Sequence, residues 1–232
     1  MAIKQILFNT EMVRAILDGR KTCTRRLVRF MPGENPQWTG YIRNGLMLYN
    51  GRNDPCIIKA PYQPGDILYV REIWEHFECC CCEGDEHGNC YREPQQSVLN
   101  KSCGCYMYRA TDEIYGDARW HPSIHMPKEA ARIWLKVTDV RVERLQEITE
   151  EKACVEGTDP WDEACYENNG WHPTFSDPDS GGDPNMIDGF HKLWNSTIKK
   201  SDLDRYGWDA NPWVWVIEFE RCKKPEEDKR CD

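Results

Sequence analysis

The chain has 232 residues, with 30 Lys and Arg against 39 Asp and Glu, a formal net charge of -9 and a mean hydropathy of -0.76. An acidic chain exerts no overall pull on a phosphate backbone, which excludes extended, non-specific nucleic-acid binding. No apolar run approaches the length of a membrane span, and the start lacks the basic and long apolar regions of an export signal, so the reading is a cytoplasmic protein with no membrane partner.

In chain order, the apolar run Ile3, Ile6, Leu7 and Phe8 predicts a strand. Met12, Val13, Ile16 and Leu17 then mark one face of a helix that stops at Gly19 as its C′ residue. Gly19-Arg20-Lys21-Thr22-Cys23-Thr24-Arg25-Arg26 follows, setting a lysine, a hydroxyl and guanidinium groups within a few residues. Two readings stand: a reaction centre or a solvated basic loop. Together with Arg14 and Arg29, this segment is also the obvious local source of any nucleic-acid contact.

Pro64-Gly65-Asp66 reads as a turn into the strand Ile67–Val70, which ends in Arg71-Glu72-Ile73-Trp74. Ile133, Leu135, Val137, Val140 and Val142 mark a long strand whose alternation breaks near Thr138-Asp139, as at a bulge. Thr149 is a good N-cap for a short helix with Glu150 and Glu151 in its first turn, and Gly157 is its natural stop. A second helix carries Met186, Phe190, Leu193 and Trp194 on one face. Trp213–Glu220 is a final strand, and the tail from residue 223 is charged.

Thirteen cysteines are too many for a reducing compartment to use as disulfides, and seven crowd between Cys79 and Cys105. Cys79 and Cys82 have CxxC spacing, and Cys103 with Cys105 would complete a four-thiolate tetrahedral zinc site of the structural kind. A cysteine-rich insertion without metal is the competing reading, and the spacing leaves both open. Cys23, amid arginines, is either a thiol of lowered pKa or a small buried side chain.

The order of these parts suits an α+β domain over 1–222: a small mixed β-barrel with helices outside, a cysteine-rich insertion at about 75–116 and a long loop at about 157–184. At this point the residues resemble the ASCH domain, a PUA-like family with the signature G-x-K-x-x-E-x-R. Gly19, Lys21, Thr24 and Arg26 stand in those places, and Thr24 replaces the glutamate. That replacement is shared with the small bacterial ASCH amidohydrolases acting on N(4)-acetylcytidine. Arg71-Glu72-Ile73-Trp74, the Trp120–Pro127 segment and Asn211-Pro212-Trp213-Val214-Trp215 also resemble larger phage and prophage ASCH proteins.

The resemblance implies a catalytic set of Lys21, Thr24 and Glu156, the last falling on the position of a glutamate from a later short helix. A threonine hydroxyl needs a base as it attacks an acyl carbon, and Lys21 can serve only as a neutral amine. Glu156 then has two possible roles, as an acid/base toward the leaving amine or as the group that holds Lys21. Arg26 would bind the substrate, stabilising either an oxyanion or the substrate's carbonyl. Arg71, Glu72 and Trp74 are candidates for binding a substrate, although a structural ion pair and core packing explain them equally well. No cofactor is expected for catalysis. The partner is a modified nucleoside or RNA, in a bacterial or phage-infected cell, with a non-catalytic binding module as the alternative. One geometric condition attaches to this set: regular strand alternation would send Lys21 and Thr24 to opposite faces, so the backbone between them must bend.

Overall fold

The computed structural model describes residues 1–29, 38–42, 45–49, 55–78, 104–114, 119–158 and 186–225. In these the chain forms strands β1 (Ile3–Leu7), β2 (Cys23–Leu27), β3 (Trp38–Ile42), β4 (Gly45–Tyr49), β5 (Pro55–Lys59), β6 (Ile67–Arg71), β7 (Trp74–Glu78), β8 (Gly104–Tyr108), β9 (Trp134–Arg144) and β10 (Trp213–Cys222). The α-helices are α1 (Thr10–Leu17), α2 (Glu150–Cys154), α3 (Met186–Thr197) and α4 (Leu203–Tyr206). The protein is α+β, as its sequence pattern predicts.

The expected barrel is corrected. Five strands form one mixed sheet in the order β1-β6-β9-β10-β2, with β1 parallel to β6, β6 antiparallel to β9 and β10 antiparallel to β2. Its edges, β1 and β2, leave it open. On the side away from β10, the start of β2 meets the turn after α2: the Thr22 and Cys23 amides donate to Val155, and Lys21 makes a single bridge with Glu156.

The described residues fall into two compact units. The first holds Met1–Leu17, Asp66–Lys136 and Arg221–Asp232. Here β1 lies in register with β6 from Ile3↔Ile67 to Leu7↔Arg71. Asp66 fixes the start of this pair by accepting from the Ala2 amide at 3.0 Å and from Lys4 Nζ at 2.8 Å. α1 begins where the Asn9 side chain accepts from the Met12 amide at 2.8 Å, and it buries Val13, Ala15 and Ile16. The two ends of the expected insertion pair as the antiparallel ladder β7–β8. Tyr106, Tyr108, Met126 and Trp134 pack there into one apolar cluster.

The second unit holds Asp18–Gly65 and Val137–Glu220. It contains the antiparallel meander β3-β4-β5 and the β2–β10 pair, in register from Leu27↔Val214 to Cys23↔Glu218. Buried parity along β9 changes from Leu135 and Val137 to Val140, and the strand passes unbroken through Thr138-Asp139. Thr149 caps α2 by accepting from the Lys152 amide, and Phe190 and Trp194 of α3 pack with Leu145, Ile148, Val214 and Val216.

Candidate functional site

Lys21 is the largest fully buried side chain among the described residues, and it has partners in the turn that ends α2. Its Nζ donates to the Glu156 carboxylate at 2.8 Å and to the Glu156 backbone carbonyl at 2.7 Å. The side chains of Lys21 and Glu156 are 0% and 2% exposed. α2 is short because Gly157 follows with φ +78°, a left-handed conformation that glycine adopts without a Cβ clash. The turn aims both the carboxylate and the carbonyl of Glu156 at one ammonium.

The other Glu156 oxygen is taken by Arg25, whose Nη1 lies 2.9 Å from Oε1. Arg25 is buried as well; its guanidinium stands 5.7 Å from the centre of the Phe190 ring and reaches Glu143 at 3.3 Å. From Glu143 the chain of charges continues outward: Arg141 at 2.7 Å and Lys152 at 2.8 Å both bind it, and Arg141 also binds Asp139 and Glu218. The basic segment is therefore not a solvated loop. Lys21 and Arg25 are committed to carboxylates inside the second unit, while Arg20 stays exposed beside Asp18 and the Gly157 carbonyl.

Burial sets the ionisation of this group. Loss of water pushes the Lys21 ammonium below its ordinary value, against the opposing pull of Glu156. The same desolvation, reinforced by the Glu156 charge, pushes the Cys23 thiol up to about 12, so Cys23 is a small buried side chain and not an activated thiol. The Arg26 guanidinium is lowered by burial, with Tyr62 and Glu156 acting the other way. Glu143 is disfavoured as an anion by burial, but hydrogen bonds from Lys152 and Arg141 outweigh this and hold it below the ordinary carboxylate range.

Thr24 is 2% exposed and stands opposite Ile217 in the β2–β10 register, on the strand face away from Cys23 and Arg25. The backbone just before it is irregular. The Thr22 and Cys23 amides both donate to the Val155 carbonyl, at 2.9 and 3.1 Å, the two-against-one pattern of a β-bulge. The backbone between Lys21 and Thr24 is irregular, and Lys21 shares the Glu156 carboxylate with Arg25, which lies on the face away from Thr24. Thr158, two residues beyond Glu156, is 8% exposed, and its hydroxyl has no hydrogen-bond partner among the described residues; Arg25 Nε is in the same state.

Of the proposed substrate-binding residues, Arg26 belongs to the second unit, while Arg71, Glu72 and Trp74 belong to the first and have partners there. Glu72 is 1% exposed and takes both oxygens to Arg132, at 2.9 Å each. Burial raises its carboxyl above the ordinary value, opposed by Arg132. Arg132 in turn lies 4.0 Å from the centre of the Tyr108 ring. Arg71 donates to Gln5 and to the Ile124 carbonyl. Trp74 packs between Tyr106 and His121, with ring centres 5.6 and 5.3 Å away. Of the proposed zinc ligands, Cys79, Cys82 and Cys103 lie outside the described residues, and Cys105 is placed only by its backbone, opposite Phe77 in β8. Among the described residues, no group of three or more His, Cys, Asp or Glu could hold a metal.

The sequence reading passed over Glu143 and Arg141 and gave Arg25 only a generic role as a nearby cation. The signal was present in both strands. Asp139, Arg141 and Glu143 alternate in sign at period two, which lines opposite charges along one strand face, and Arg25 follows Cys23 at the same period. Compared with known proteins, the chain matches no family model, no curated protein and no solved structure.

Proposed function

We propose that the protein is an amidohydrolase that removes an acyl group from an N-acylated nucleoside such as N(4)-acetylcytidine. The reading rests on the ASCH-like motif in the sequence, and the observation that carries it is the buried Lys21–Glu156 contact. Two motif residues far apart in the chain meet at 2.8 Å in a place where burial lowers the lysine toward its neutral form.

In this account neutral Lys21 takes the Thr24 proton as Oγ attacks the acyl carbon. The resulting oxyanion is stabilised by Arg26. Collapse breaks the bond to the exocyclic nitrogen, which leaves with a proton returned by Lys21, and the acyl group remains as an ester on Thr24. Water, deprotonated by Lys21, then cleaves the ester and regenerates the hydroxyl. Glu156 has both carboxylate oxygens engaged, so of its two possible roles the geometry favours holding the ammonium that Lys21 becomes. The net charge of -9 favours a free nucleoside over long RNA as substrate.

The second reading, a non-catalytic PUA-like module that binds RNA or a modified base, is favoured by one observation: Thr24 is almost closed to solvent. Incubation with N(4)-acetylcytidine separates the two. Wild type should release acetate and cytidine, and Lys21→Ala should not. Absence of turnover by wild type together with micromolar binding of the base would leave the binding module standing.

A further inference from the structure

We infer that Thr158 is a substrate-binding residue, whose buried hydroxyl is left open for a carbonyl oxygen of the N-acylated nucleoside. The inference rests on the reading of the Lys21–Glu156 site as the place where that substrate binds. Thr158 is 8% exposed, and its Oγ1 is closed to solvent without a hydrogen-bond partner among the described residues. A hydroxyl in this state has lost its bonds to water and gained none, so it destabilises the fold that holds it. Valine, with nearly the same shape, would sit there without that penalty.

The chain fixes where this hydroxyl stands. Gly157, at φ +78°, separates Thr158 from Glu156 in the turn that faces Lys21. The acceptors of that turn are already engaged. One Glu156 carboxylate oxygen accepts from Lys21 at 2.8 Å and the other from Arg25 at 2.9 Å. The Glu156 carbonyl accepts from Lys21 at 2.7 Å, and the Gly157 carbonyl from Arg20 at 3.3 Å. The same shortage of acceptors shows at Arg25, which is 4% exposed and has no partner for Nε among the described residues. Donors are therefore in excess around Glu156, and the group that suits Thr158 is an acceptor oxygen brought from outside. An N-acylated cytosine offers two, on the ring and on the acyl group. The turn borders solvent, since the Arg20 side chain is 44% exposed and Val155 37%.

The test compares Thr158→Val and Thr158→Ser with wild type in two measurements. Without substrate, Thr158→Val should unfold in urea at the wild-type midpoint or a higher one, because it removes a polar group that nothing satisfies. With N(4)-acetylcytidine its kcat/KM should fall about three- to tenfold, the worth of one hydrogen bond, while Thr158→Ser stays within about twofold of wild type. A lowered urea midpoint in Thr158→Val would mean that the hydroxyl is bonded within the protein, and an unchanged kcat/KM that no substrate reaches it; either overturns the inference. Equal losses in both variants would trace the effect to packing and overturn it as well. A wild type without turnover defeats the amidohydrolase reading alone. The comparison then passes to the calorimetric Kd of the intact compound, with the same fold-change expected. No binding by wild type, or equal Kd values for wild type and Thr158→Val, would overturn the inference.

Discussion

Lys21 and Glu156 illustrate how burial changes what an ordinary ion pair does. On a surface such a contact contributes under about 1 kcal/mol, because water screens it. Inside, its value lies in what happens when one partner is removed. Glu156→Ala would leave Lys21 without its carboxylate and Arg25 with only Glu143, and should cost about 3–5 kcal/mol in unfolding free energy measured in urea. A loss below about 1 kcal/mol would mean that the cluster relaxes into water.

The ionisation of Lys21 has a consequence for stability with a definite sign. Its folded pKa lies below the ordinary value of 10.5, so between the two the unfolded chain binds more protons than the folded one. Folding therefore strengthens as pH rises through that window. The unfolding free energy of wild type minus that of Lys21→Met should grow as pH approaches 10.5; a flat or falling difference would contradict the lowered pKa. Cys23 gives a simpler check at this scale. Buried and raised to about 12, it should resist iodoacetamide in the folded protein while exposed Cys154 reacts, as peptide mapping would show.

The elements that build the site are short and depend on their ends. α2 is five residues long, begins at the Thr149 cap and ends against Gly157, and its work is to place the Glu156 carboxylate and carbonyl on Lys21. Both ends were legible in the sequence, since a cap followed by acids and then a glycine has a direct physical meaning. Gly157→Ala forces a Cβ into a left-handed backbone at φ +78° and should destabilise by about 1–2 kcal/mol. Thermal unfolding would show it, and an unchanged midpoint would mean that the turn relaxes to another conformation. Less legible was the start of β2. No residue type announces that the Thr22 and Cys23 amides share the Val155 carbonyl, because this irregularity arises from the distant turn that meets β2 and not from local preference. Arg25 was hidden for a related reason. Its role depends on Glu143 and Glu156, more than a hundred positions away in sequence, which local patterning does not connect.

Over the whole molecule, the α+β class and the main apolar strands and helices followed from periodicity, whereas closure of the sheet did not. Alternation along β1, β2 and β10 is the same in a barrel and in an open sheet; what separates them is whether the edges pair, and β2 spends that edge on the turn after α2. No helix among the described residues is long and apolar enough to cross a membrane. We propose a structural zinc ion on Cys79, Cys82, Cys103 and Cys105, which metal analysis of the purified protein would reveal as about one equivalent, lost on replacing Cys79 and Cys82. Metal content unaffected by that replacement, or none at all, would favour the metal-free insertion.

Whether Thr24 is the nucleophile is decided by the kcat/KM for hydrolysis of N(4)-acetylcytidine across a substitution series at that position. With Thr24 as the nucleophile, Thr24→Ala should lose at least about a hundredfold, the lower end of what a positioned proton-transfer partner contributes, while Thr24→Ser keeps a substantial part of the activity. Turnover by Thr24→Ala at the wild-type rate would contradict the account.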